Sequence, residues 1–101
     1  MTTQQNAIIR GKILYYLALI YPQAATFPDV QGNLQLFGYP APMDELDLHI
    51  TYLVKKKLVS IDKYNRSHRV RRVRLAKITA KGIDYHDGRL PADEGIYVEP
   101  K

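Results

Sequence analysis

Between Gln5 and Tyr21 the apolar positions Ile9, Ile13, Leu17 and Ile20 follow at steps of four, four and three, which stacks them on one face of a helix. Leu14, Ala18 and Tyr21 widen the stripe, Thr2 or Thr3 offers a capping hydroxyl, and Pro22 stops the element. Gly11 lies inside it at a cost of about 1 kcal/mol relative to alanine. It either permits a close helix contact or is simply tolerated. A second, short helix is predicted from Pro28 to Phe37, with Thr26 or Phe27 leading into Pro28, inward positions Val30, Leu34 and Phe37, and Gly38 as the stop. Gly38-Tyr39-Pro40-Ala41-Pro42 then forms a tight connection.

The third helix is predicted from Met43 to Lys57, with Leu46, Ile50, Leu53 and Val54 facing inward. Asp44, Glu45 and Asp47 crowd its first turn and Lys55, Lys56 and Lys57 its last, both matching the helix dipole. The pattern then changes to strand alternation. Val59 and Ile61 alternate with Ser60 and Asp62, and Val73 and Leu75 alternate with Arg72 and Arg74. Keeping the apolar residues on one face pairs Ile61 with Val73, Val59 with Leu75, Asp62 with Arg72 and Lys63 with Arg71. In that register the inward face turns cationic beyond Ile61 and Val73. The hairpin from Lys63 to Arg71 is therefore expected to leave the core, with Asn65-Arg66-Ser67-His68 near its tip. A last short helix is capped by Thr79, anchored by Ile83 and by Tyr85 or His86, and ended by Gly88. The organisation is one domain over 1–88 and a tail over 89–101, in which Ile96, Tyr97 and Val98 are free to dock on the body or on a partner.

Charge changes this picture. Net charge is +5, and 10 of the 15 Lys and Arg residues fall between Lys55 and Lys77, against one acid, Asp62. The remaining 78 residues carry 5 bases and 9 acids, so a cationic segment rides on a slightly acidic body. Such polarity is the footprint of a polyanion binder, with a solvated basic surface as the plainer alternative. The chain has no cysteine, which removes disulfides, thiolate metal sites and cysteine nucleophiles. The longest apolar run, Ile13 to Tyr21, is 9 residues, against roughly 20 for a membrane span. With a polar start lacking a signal-peptide pattern, the expectation is a soluble cytoplasmic protein.

Two stretches carry a resemblance. His49-Ile50-Thr51-Tyr52-Leu53 followed by Lys57-Leu58-Val59 resembles a recognition helix running into a wing. Ile78-Thr79-Ala80-Lys81-Gly82 resembles the leucine-threonine-x-x-glycine turn that follows the wing in MarR-, PadR- and ArsR-like regulators. The resemblance spans roughly residues 6 to 88 and implies an α+β fold, the winged helix-turn-helix. That is a three-helix core with a two-stranded β-hairpin wing and a short C-terminal helix. In size the chain also resembles small winged-helix proteins of Mu-like prophages. Two departures stand out. Lys57 occupies a place where the superfamily usually has glycine, so the turn is expected to differ. Asp44, Glu45 and Asp47 occupy the groove-facing end of the third helix, where carboxylates are repelled by phosphates.

The resemblance and the charge together imply a regulator of transcription that binds duplex DNA through the wing, with no cofactor and no catalysis. Lys63, Arg66, Arg69, Arg71, Arg72 and Arg74 are the candidate phosphate contacts. Arg66 or His68 at the tip is placed to enter a minor groove, and Arg72 has the alternative of a structural pair with Asp62. Leu48, Thr51, Tyr52 and Lys55 form the outward face of the third helix, over the major groove. A different class of function, a protein-interaction module, is suggested by the acidic helix start and the acidic, aromatic-bearing tail. RNA binding has only the eight tyrosines in its favour. A homodimer through helix one or the tail would account for the adjacent Tyr15 and Tyr16. His49, His68 and His86 match no metal-ligand spacing, and His49 reads as a surface residue. Asp84-Tyr85-His86-Asp87 lies on one short helix, where neighbouring side chains diverge rather than converge on a substrate.

Overall fold

The structure, a computed structural model, describes residues 3–65 and 72–99. Its elements in chain order are α1 (Thr3–Ile20), β1 (Ala25–Thr26), α2 (Phe27–Leu36), α3 (Met43–Lys55), β2 (Val59–Asn65), β3 (Arg72–Ile78) and α4 (Ala80–His86). The three strands form an antiparallel sheet in the order β1-β3-β2. No helix among the described residues is long and apolar enough to cross a membrane.

The core forms where the helical stripes meet. Ile9, Ile13, Leu14 and Leu17 of α1, Val30 and Leu34 of α2, and Leu46, Ile50 and Leu53 of α3 are fully buried. Each such side chain contributes about 1.5–3 kcal/mol of burial. Thr26 caps α2 by accepting from the Asp29 N–H at 3.2 Å. Phe37 was expected inward. It lies instead at the C-cap of α2, partly exposed, with its ring edge-on to Tyr15 at 5.9 Å between centroids. Thr79 caps α4 by accepting from the Gly82 N–H at 3.0 Å, and Gly88, at φ +81°, ends the helix.

The hairpin register differs from the expected one. Val59 pairs with Ile78, Ile61 with Ala76, Asp62 with Leu75, Lys63 with Arg74 and Asn65 with Arg72. Relative to the expected pairing, β3 is shifted by three residues, an odd number, which exchanges its faces. Ala76 and Ile78 are buried, and Leu75 is only half-buried. The cause is β1, a strand absent from the expected two-stranded sheet. Ala25 pairs with Ala76 and Thr26 with Leu75, so β3 is the central strand and its C-terminal half belongs to the core. The expected Asp62–Arg72 pair is therefore not made.

The tail packs on the body. Ile96 is buried, the Tyr97 N–H donates to the Ala7 carbonyl at 3.0 Å, and Tyr85 Oη donates to the Ile96 carbonyl and accepts from the Asp93 N–H, both at 2.9 Å. Gly11 makes this possible, because a Cβ there would collide with the Tyr97 carbonyl oxygen. The close contact allowed by Gly11 is thus with the tail.

Candidate nucleic-acid interface

α3 and the β2–β3 hairpin carry the candidate residues. The turn between them is fixed by backbone hydrogen bonds. The Lys57 N–H donates to the Val54 carbonyl at 2.9 Å and the Leu58 N–H to the Leu53 carbonyl at 3.0 Å, the pair that defines a Schellman end. Lys57 takes the left-handed conformation, φ 65°, so the turn keeps its usual form despite lacking glycine. Thr79 Oγ1 donates to the Lys57 carbonyl at 2.8 Å and the Thr79 N–H to the Leu58 carbonyl at 3.0 Å. These bonds lock the start of the hairpin to its end.

On α3, Asp44, Leu48, Thr51 and Lys55 are exposed, as expected for the outward face. Tyr52 differs. It is half-buried, the Arg10 guanidinium lies 3.9 Å above its ring, and its hydroxyl donates to Asp93 Oδ1 at 3.0 Å. Burial and that hydrogen bond raise its pKa. Asp93 also accepts from the Gly95 N–H at 2.7 Å and pairs with Lys56 at 3.0 Å, and these bonds hold its carboxyl below the ordinary range. The same Asp93 contact raises the Lys56 pKa. His49, read as a surface residue, is buried. Its Nδ1 accepts from Arg10 Nε at 3.2 Å, and Arg10 Nη1 donates to the Gly95 carbonyl at 3.1 Å. Burial first, then the Arg10 charge, lowers the His49 pKa and keeps it neutral. Only the burial of its neighbour Ile50 hinted at this, since the partners come from α1 and from the tail.

The three acids of α3 have separate fates. Asp47 Oδ1 pairs with Arg74 Nη1 at 2.9 Å, and the Arg74 guanidinium lies 4.2 Å above the Phe27 ring. Glu45 is half-buried with Oε2 enclosed. Asp44 is exposed, its Oδ1 accepting from the Glu45 N–H at 3.0 Å. Arg74, a predicted phosphate contact, is thus engaged inside the chain. Lys63 and Arg72 occupy the outer ends of β2 and β3. Arg66, His68, Arg69 and Arg71 lie outside the described residues, as does most of the expected tip. A cavity of about 1110 Å³ opens between α1, α4 and the tail, and no residue of α3 or the hairpin lines it.

Three helices with a helix-turn-helix at α2–α3, a hairpin beyond α3 and a short strand before α2 define the winged-helix fold. A PadR-like transcription factor from Bacteroides fragilis shares that architecture, with a TM-score of 0.60 and 21% identity over 75% of this chain and 74% of that one. At this identity the likeness concerns the fold. No family model and no curated protein matches the sequence.

Proposed function

We propose that the protein is a transcriptional regulator that binds duplex DNA through the β2–β3 wing and the outward face of α3. The observation that carries this reading is the changeover along the hairpin. Val59, Ala76 and Ile78 are buried, Asp62 and Arg74 are exposed, and the positions 63–73 between those two carry five Lys or Arg residues and no acid. A hairpin that sheds its apolar face and becomes cationic suits a phosphate backbone, where affinity comes largely from counterion release. Lys55, Lys63, Arg66, Arg69, Arg71 and Arg72 are the contacts in this reading, with His68 placed at the minor groove. Arg74 and Tyr52 position the wing and α3 rather than touch DNA.

The test is fluorescence anisotropy on a labelled random-sequence duplex between about 50 and 200 mM salt. Six to ten phosphate contacts lose roughly 10³ to 10⁵ in affinity over that range. Reversing Lys63, Arg69 and Arg71 to Glu together should abolish binding while the circular dichroism spectrum is retained. Unchanged affinity in that variant would remove the wing from the mechanism. A second reading, a protein-interaction scaffold, is favoured by the exposed Leu36 and Leu19, which are 86% and 64% accessible. Absence of binding to any duplex at low salt would select it.

A further inference from the structure

The outward stripe of α3 has an unusual composition for a helix that reads bases. Asp44, Leu48, Thr51 and Lys55 follow at steps of four, three and four and share one narrow arc of the helix. α3 contains no Arg, Asn or Gln, the side chains that pair bidentately with guanine and adenine. Lys55, its one exposed base within the helix, is in the last turn. Of the usual purine readers this face therefore holds only Lys55, at its far end.

The fates of the three carboxylates lessen the acidity that α3 presents to DNA. Asp47 is neutralised by Arg74 at 2.9 Å, and Glu45 is half-buried. Asp44 is exposed, and the Glu45 N–H on Oδ1 orients its carboxylate while occupying one of its two oxygens. One turn further on, Leu48 is 69% exposed, a large apolar side chain outside the core. Cytosine offers an N4 amino donor in the major groove, which a carboxylate accepts. Thymine offers a C5 methyl, which an apolar side chain covers.

We propose that this stripe reads pyrimidine edges in the major groove, Asp44 accepting from cytosine N4 and Leu48 packing on a thymine methyl. The inference rests on the DNA-binding reading above. Four residues of helix advance about 6 Å, so the two bases lie within about two base-pair steps of 3.4 Å. Thr51, able to donate or accept, is the next reader along, and Lys55 reaches a phosphate.

The experiment begins with selection from a duplex pool with a randomised core. Each thymine of the selected site is then replaced by deoxyuridine, which lacks only the methyl. One such replacement should weaken the wild-type protein about fourfold, and Leu48→Ala should bind both duplexes equally. Replacing the selected C·G pair by T·A should cost the wild type about 5- to 150-fold, and Asp44→Ala, which has no acceptor, should lose that preference. Both residues are exposed, so both variants should fold. Salt-dependent binding in which deoxyuridine replacement and Asp44→Ala change nothing would overturn the pyrimidine reading and leave DNA binding standing. Absence of binding to the pool at low salt would overturn both.

Discussion

Lys57 shows how a single residue can carry strain for the sake of a junction. Its φ of 65° is natural for glycine and costs a side-chain-bearing residue about 1 kcal/mol. The strain persists because the Lys57 and Leu58 N–H groups close the end of α3 and Leu58 is buried. Lys57→Gly should therefore stabilise the protein by about 1 kcal/mol and raise Tm by about 4–8 °C in thermal denaturation followed by circular dichroism. His49 sets a second residue-scale expectation. Its pKa is lowered from 6.5 in the folded chain, so on acidification the unfolded chain takes up the proton first. The stability that depends on neutral His49 is complete above pH 6.5 and is lost as pH falls through the lower folded value. Asp93, held below its ordinary 3.8, titrates in a lower window. His49→Asn keeps an acceptor for Arg10 Nε without titrating. Urea denaturation between about pH 7 and pH 5 should show falling stability in the wild type and a flatter profile in the variant. Equal slopes would show that His49 is not the group responsible.

At the scale of elements, one phenol gathers several of the polar bonds that hold the tail. Tyr85 Oη serves both the Ile96 carbonyl and the Asp93 N–H, and Ile96 is buried beside it. Tyr85→Phe leaves both backbone groups without that partner, at a cost of about 1–3 kcal/mol for each one that stays buried. The expected result is a tail that opens locally, read as faster hydrogen exchange at the Tyr97 amide, which is bonded to the Ala7 carbonyl. The helices were legible in the sequence because each carries a 3.6-residue stripe bounded by Pro22, Pro28, Gly38 or Thr79. The strand register was not, for a definite reason. β3 has apolar residues of both parities, Val73 and Leu75 on one and Ala76 and Ile78 on the other, so alternation alone admits two faces. The choice is made by β1, two residues long and too short to give a period of its own. The candidate site was legible in the same uneven way. The exposed face of α3 follows from its period, whereas Tyr52 and His49 are drawn inward by Arg10 and Asp93, and Arg74 is paired at the surface by Asp47, partners 27 to 42 residues away that no local pattern reveals.

Across the whole molecule, the charges that matter for DNA are those not already balanced within the chain. Ten of the 15 bases lie between Lys55 and Lys77, yet the structure divides them. Lys56 is paired with Asp93 at 3.0 Å, and Arg74 with Asp47 at 2.9 Å. A cation already compensated by a carboxylate releases little counterion when it meets a phosphate, because the carboxylate would have to be given up. The salt dependence of binding can therefore separate the two kinds of base. In the proposed DNA-binding reading, where Lys63 and Arg72 contact phosphates, Lys63→Gln and Arg72→Gln should each reduce the slope of log K against log salt by about 0.9 in magnitude. Arg74→Gln should leave the slope near the wild-type value, although it frees Asp47 on α3 and weakens binding at every salt concentration. Lys55→Gln, on the exposed face of α3, should behave like the wing variants if that helix lies against the backbone. A slope that falls by the same amount in Arg74→Gln would mean that Asp47 releases Arg74 on binding. The wing would then close onto DNA by exchanging a carboxylate for a phosphate, rather than docking as a preformed surface.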